Sequence, residues 1–166
     1  VADGSLVLVK GAKSPLTFTA DQERAHAKVF YNLLEQVSGQ NLQVDGTYPV
    51  ELFPDILDHL RSAQHNEYQE WDHDYAGFSR TAQEEGFPEI AHIFSMIAGI
   101  EKTHGDRFGK FAELLEQDKL FVSDVQVKWM CLNCGQIIDA TMAPAVCPVC
   151  KHPQGYFIRW EMAPFE

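Results

Sequence analysis

The chain has 166 residues, 45% of them hydrophobic and 22% charged, a balance that suits one medium domain with a small appendage rather than a disordered chain. Its formal charge of −11 argues against a nucleic-acid surface, because phosphate binding requires a basic patch and here Lys and Arg number 13 against 24 Asp and Glu. The longest apolar run, IAHIFSMIAGI, stops at 11 residues and contains His92 and Ser95, short of the roughly 18 that a membrane span needs, and nothing at the front reads as a secretory leader.

Residues 1–18 carry a short LVLV run, two glycines and Pro15, and read as an irregular or strand-forming lead. A first helix is expected from Thr19, which forms a capping-box pattern with Gln22, through Phe30, Leu33 and Val37 to a stop at Gly39. Residues 40–54, with Asp45-Gly46, Pro49 and Pro54, are turn and loop chemistry long enough to cross from one end of a bundle to the other. A second helical stretch runs from about Asp55 to Glu85 and is closed by Gly86, and Pro88 opens a third that continues to about Gln117, so the two make an αα-hairpin. The helical domain is thus placed at 19–117, a polar linker at 118–128, and a small cysteine module at 129–166.

The helices carry ionisable residues where a core is expected. On the third, Ile90, Phe94, Ile97, Glu101, His104, Phe108, Phe111 and Leu115 share one face. Glu23 and His26 lead the equivalent stripe of the first helix, and Glu67 and Glu70 end that of the second. Buried carboxylates must be protonated, paired or bound to metal, and these stripes hold no Lys or Arg to pair them. Two Glu-x-x-His pairs plus two further Glu match the ligand pattern of dinuclear carboxylate bundles, and hard carboxylates with a few imidazoles suit iron or manganese better than zinc. Each residue alone is more simply read as a stripe-edge group reaching water; the six together are not.

The stripe of the first helix recurs in the third with a shift of 78 residues, so the bundle reads as duplicated. By that shift the partner of Glu67 falls before the first residue, which predicts one helix and one carboxylate short of a four-helix site. A groove lined by Phe30, Leu33, Phe108 and Phe111 would then be open, and the expected cover is an obligate homodimer in which the N-terminal segment, or a helix exchanged from the partner, packs across it.

All four cysteines lie in CLNCGQIIDATMAPAVCPVC. Two C-x-x-C pairs in a chain without secretion signals read as metal ligands rather than disulfides, and place the protein in a reducing cytoplasm. Cys131, Cys134, Cys147 and Cys150 suit zinc or iron equally on ligand type.

The segments ADQERAHAKVFYNLL, HNEYQEWDHDYAGFSRTAQEEGFPEIAHIF and IEKTHGDRFGKFAELL, followed by KWMCLNCGQIIDATMAPAVCPVCKHPQGYF, resemble the rubrerythrin family from its second bundle helix through its C-terminal rubredoxin-like domain. The resemblance implies a mainly α protein: a ferritin-like di-iron helical bundle, three of whose helices are recognisable here, plus a small rubredoxin-like four-cysteine metal domain. It also implies a non-haem di-iron peroxidase, usually a homodimer, that reduces hydrogen peroxide to water. The electrons would come from an NAD(P)H-linked reductase or rubredoxin, relayed through a four-cysteine iron. Carried over, Glu23 and Glu101 would bridge two irons, Glu67 and His104 would hold one of them, and Glu70 and His26 would serve the other in alternation. Tyr75 would match a tyrosine hydrogen-bonded near the site. The sulfur site of one chain would serve the di-iron site of its partner. A ferroxidase or oxygen-scavenging relative, and a non-catalytic helical protein with a zinc ribbon, are the alternatives.

Overall fold

The computed structural model describes residues 14–164, so the LVLV run of the lead lies outside the described residues. Helix α1 (Pro15–Asn32) begins four residues before the expected capping box. Ser14 takes the cap instead: its Oγ accepts from the Thr17 backbone N–H at 3.2 Å, and Pro15 follows at the first helical position, where a missing N–H costs nothing. A short 3₁₀ turn (Glu35–Val37) precedes Gly39, whose φ of 83° is one that a glycine adopts freely.

After an exposed segment without regular structure, Asp55 caps α2 (Ile56–Gln69) by accepting from the Leu57 N–H at 2.7 Å. The helical run does not continue evenly: residues Glu70–Asp74 form a π turn before α3 (Tyr75–Glu84). Gly86, at φ 87°, ends α3 with two backbone bonds, Phe87 N–H to Ala82 C=O and Gly86 N–H to Gln83 C=O, which satisfy carbonyls left open at the helix end. Pro88 opens α4 (Pro88–Glu116).

The chain divides into two compact units, one of them Thr19–Gly109 and the other built mainly of the chain from Lys110 onward. In the first, Leu60, Ala82, Ala91, Ile97, Ala98 and Phe108 are buried together with His26, Glu101 and His104. Helices α2 and α4 approach closely where α4 lacks side chains: a Cβ on Gly105 would lie 2.5 Å from the Tyr68 ring. Phe108 and Phe111 are 2% and 4% exposed, so they do not line an open groove as their stripe position suggested; the apolar side chains left exposed in the first unit include Val29, Tyr31, Leu34, Phe78, Phe87 and Met96. Among the described residues no helix is long and apolar enough to cross a membrane.

The second unit holds an antiparallel sheet ordered β2-β1-β3, from β1 (Val122–Cys131), β2 (Ile137–Met142) and β3 (Phe157–Arg159). Its core is small: Trp129, Cys131, Ala143, Cys147 and Phe157, with Val127, Ile138 and Tyr156 packed against them.

Candidate metal centre

Three helical segments bring one ligand atom each from Glu23, Glu67, Glu101 and His104 within 4.8 Å of one another. The residues repeated along the sequence meet across the site. His26 Nδ1 lies 3.1 Å from Glu23 of its own helix and 3.0 Å from Glu101, while His104 Nδ1 lies 2.8 Å from Glu101 of its own helix and 2.8 Å from Glu23. The two imidazoles stack at 5.7 Å with 18° between their planes. Glu67 breaks this reciprocity, lying 3.3 Å from His104 Nδ1.

Glu101 and His104 have fully buried side chains, and those of His26 and Glu67 are 10% and 13% exposed. His104 Nδ1 is thus crowded by three carboxylates, although one ring nitrogen can donate only one proton. None of these His104 contacts has the direction of a hydrogen bond. Glu23 Oε1, Glu67 Oε2, both Glu101 oxygens and both His104 nitrogens are buried without a hydrogen-bond partner. Such groups cost free energy unless something satisfies them, and a cation at their centre does so. The donors therefore fit the metal that the Glu-x-x-His pattern implied.

The electrostatics report the same demand for positive charge. Burial works against a charged His104, yet Glu101, Glu23 and Glu67 outweigh it and push the ring up to about 11. Burial also works to raise Glu23, but His104 and His26 overcome it and leave that carboxyl below its usual range. Glu67 is raised by burial, which its contact with His104 does not cancel. Glu70, at the start of the π turn, stands outside the quartet; burial and the repulsion of Glu67, Glu101 and Glu23 push it up to about 7. The Tyr75 hydroxyl is raised by burial and then by Glu70, and its ring packs against Phe30 and Phe94 at 5.8 and 5.9 Å.

Two features were not legible as site residues in the sequence. The π turn changes the helical phase immediately after Glu70, a device common at functional positions, and no residue type announces it. Arg107, one turn beyond His104, is half-buried, with Glu67 and Glu23 among the charges that act on it, so a cation does belong to this neighbourhood although the inward stripes hold none. Its spacing of three from His104 was the available signal.

The four thiols form a second cluster, free of disulfides, with donor atoms also within 4.8 Å. Each C-x-x-C turn closes with a backbone bond to its first cysteine, Gly135 N–H to Cys131 C=O and Lys151 N–H to Cys147 C=O. The residue completing each turn has positive φ, 77° at Gly135 and 62° at Lys151. Cys131 and Cys150 lie 3.7 Å apart, as do Cys134 and Cys147. A tetrahedron with metal–sulfur bonds of about 2.3 Å has edges of about 3.8 Å, so the sulfurs already stand where one ion would hold them. Burial pushes Cys131 up to about 12, whereas the His152 backbone N–H draws Cys150 down to about 5.

A helical carboxylate–histidine site of di-iron type, followed by a rubredoxin-like sulfur module, defines a two-centre metalloprotein of ferritin-like fold. The family model for rubrerythrin matches residues 11–112, and that for the rubrerythrin rubredoxin-like domain matches residues 129–158. The chain is 44% identical to the rubrerythrin of Clostridium perfringens over 84% of its own length and 72% of that protein's. It is 39% identical to that of Porphyromonas gingivalis over 84% of its own length and 68% of the other's. A solved structure titled as the partially reduced state of nigerythrin superposes with a TM-score of 0.54, covering 95% of this chain and 78% of that one; at 22% identity the likeness speaks for the fold alone. The chain belongs to the rubrerythrin family, an iron-binding family of oxidative-stress proteins.

Proposed function

We propose that the protein reduces hydrogen peroxide to water, taking up two electrons and two protons for each peroxide cleaved. The observation that carries this reading is the set of unpartnered buried atoms of Glu23, Glu67, Glu101 and His104 around one point, with His26 reaching in from the opposite helix. A pair of irons bound there would supply two electrons at adjacent Lewis-acidic positions, so that the O–O bond need not break into radicals.

The protein's own residues set the rest. Glu23 and Glu101 each stand between the two imidazoles and are the bridging ligands in this reading. Glu67 and His104, fixed by packing, would hold one iron. His26 and Glu70 would share the other, and the contrast between them suits an exchange: a neutral imidazole prefers the softer, reduced ion and a carboxylate the harder, oxidised one. Tyr75, kept un-ionised by burial, offers a hydroxyl proton to the site.

Cys131, Cys134, Cys147 and Cys150 would hold one iron, which would supply single-electron transfer from an NAD(P)H-linked reductase or a rubredoxin in a reducing cytoplasm. The exposed apolar side chains of the helical unit support a homodimer in which one chain's sulfur centre serves its partner's bundle. Stopped-flow oxidation of the reduced, iron-loaded protein tests the activity. Peroxide should reoxidise the bundle far faster than dioxygen does; a preference for dioxygen would make the protein a ferroxidase or oxygen scavenger instead.

A further inference from the structure

The cluster of three carboxylates and one imidazole has near it a cation that is not one of its ligands. Arg107 Nη1 donates to Thr19 Oγ1 at 2.6 Å and to Gln22 Oε1 at 3.1 Å, joining α4 to α1 in the turn that leads directly into Glu23. Thr19 is 3% exposed, so its hydroxyl is dedicated to this contact rather than to water. On α4 the same arginine follows Glu101 and His104 by six and three residues, which keeps its stem on the helix surface adjoining theirs. One side chain therefore ties the two Glu-x-x-His helices together, with Glu67 and Glu23 among the charges that act on it.

We propose that Arg107 is a positioning residue that holds Glu23 in register with Glu101 and, through its fixed positive charge, raises the reduction potential of the metal pair these residues bind. The inference rests on the reading of the quartet as an iron site. Each one-electron reduction lowers the charge of the pair by one, so a permanent cation alongside favours the reduced form, in a partly buried place where screening is weak. Guanidinium is suited to the task because it stays charged when partly desolvated and can bond two acceptors at fixed angles.

The test is a potentiometric titration followed by electron paramagnetic resonance of the iron-loaded full chain, in which the four-cysteine iron is an internal control. Arg107→Gln keeps a donor for Thr19 but removes the charge. It should shift the ferric-to-ferrous ratio of the bundle pair by about tenfold toward ferric at a given potential, about 59 mV for each one-electron step, with the four-cysteine potential unmoved. Arg107→Lys should restore most of the shift. A bundle potential in Arg107→Gln within twofold of the wild-type ratio overturns the proposal, as does an equal shift at both centres. Where Arg107→Gln does not assemble the pair, Arg107→Lys decides: a pair at the wild-type potential supports the role of the charge, and loss of the pair there too makes Arg107 a structural residue only. Absence of any di-iron signal in the wild-type chain would overturn the metal reading itself, an outcome distinct from an unmoved potential.

Discussion

The sulfur module draws its four donors from one short stretch, residues 131–150, whereas the helical unit gathers Glu23, Glu67, Glu101 and His104 from three helical segments far apart in sequence. In the module each pair of thiols is set by a local turn closed by its own backbone bond, and only one long-range step, knuckle to knuckle, remains. The core around it is small, Trp129, Cys131, Ala143, Cys147 and Phe157 with a few partly buried neighbours, so a metal bound there is expected to supply much of the stabilisation. The helical unit is the reverse: packing builds the cradle, and the ion satisfies atoms that packing has already buried. A site made by local turns needs its metal in order to fold; a site made by packed helices needs its fold in order to hold metal.

That contrast can be broken most severely at the thiols. Cys131→Ser is expected to cost the module on the order of several kcal/mol and to unfold it, because an ion held by four ligands is this unit's main staple. The helical circular dichroism and the bundle irons should remain. Loss of both centres together would show that the two units do not fold separately.

The converse change is Glu101→Ala, which removes a fully buried carboxylate lying 3.0 Å from one imidazole and 2.8 Å from the other. Both bundle irons should be lost while the thiolate-bound metal stays, with little change in melting temperature of the module. Metal analysis of the purified variant decides it, and retention of the full iron pair would reject the bridging assignment.

A smaller effect tests whether packing comes first. Gly105→Ala puts a methyl 2.5 Å from the Tyr68 ring, so the ring must shift and α2 must yield to α4, at about 1–3 kcal/mol. Thermal denaturation should show the helical transition lowered and the module unaffected.

The smallest concerns pH. In metal-free protein the Glu70 carboxyl, at about 7, lies above its ordinary value, so its contribution to stability is fully present below about pH 4.5 and is lost as pH rises through 7. Glu70→Gln should flatten that part of the stability profile by about 1 kcal/mol, the shift being discounted because the group is partly solvated. Denaturant titrations at pH 5 and 8 measure it. Iron loading should abolish the difference, and a slope unchanged by the substitution would assign the titration to another group.

The sequence by itself determined the elements that depend on local rules. Gly86 and Pro88 mark a helix end and a helix start because backbone conformation and a missing N–H act within one turn. The period of Ile97, Glu101, His104 and Phe108 places two polar residues in a core whatever the partner helices are, and the spacing of the four cysteines carries its own geometry. The start of α1 was also a local matter, set by Ser14 and Pro15, whereas tertiary structure alone decided that Thr19 receives Arg107. It also decided that Phe108 and Phe111 are covered, that Glu70 stands outside the quartet behind a π turn, and that Arg107 stands beside it. These features turn on which side chains from distant segments fill the same space. A linear pattern specifies a helix face but not the depth, phase or neighbour at which that face meets another, because those are fixed by packing between helices rather than by bonds within one.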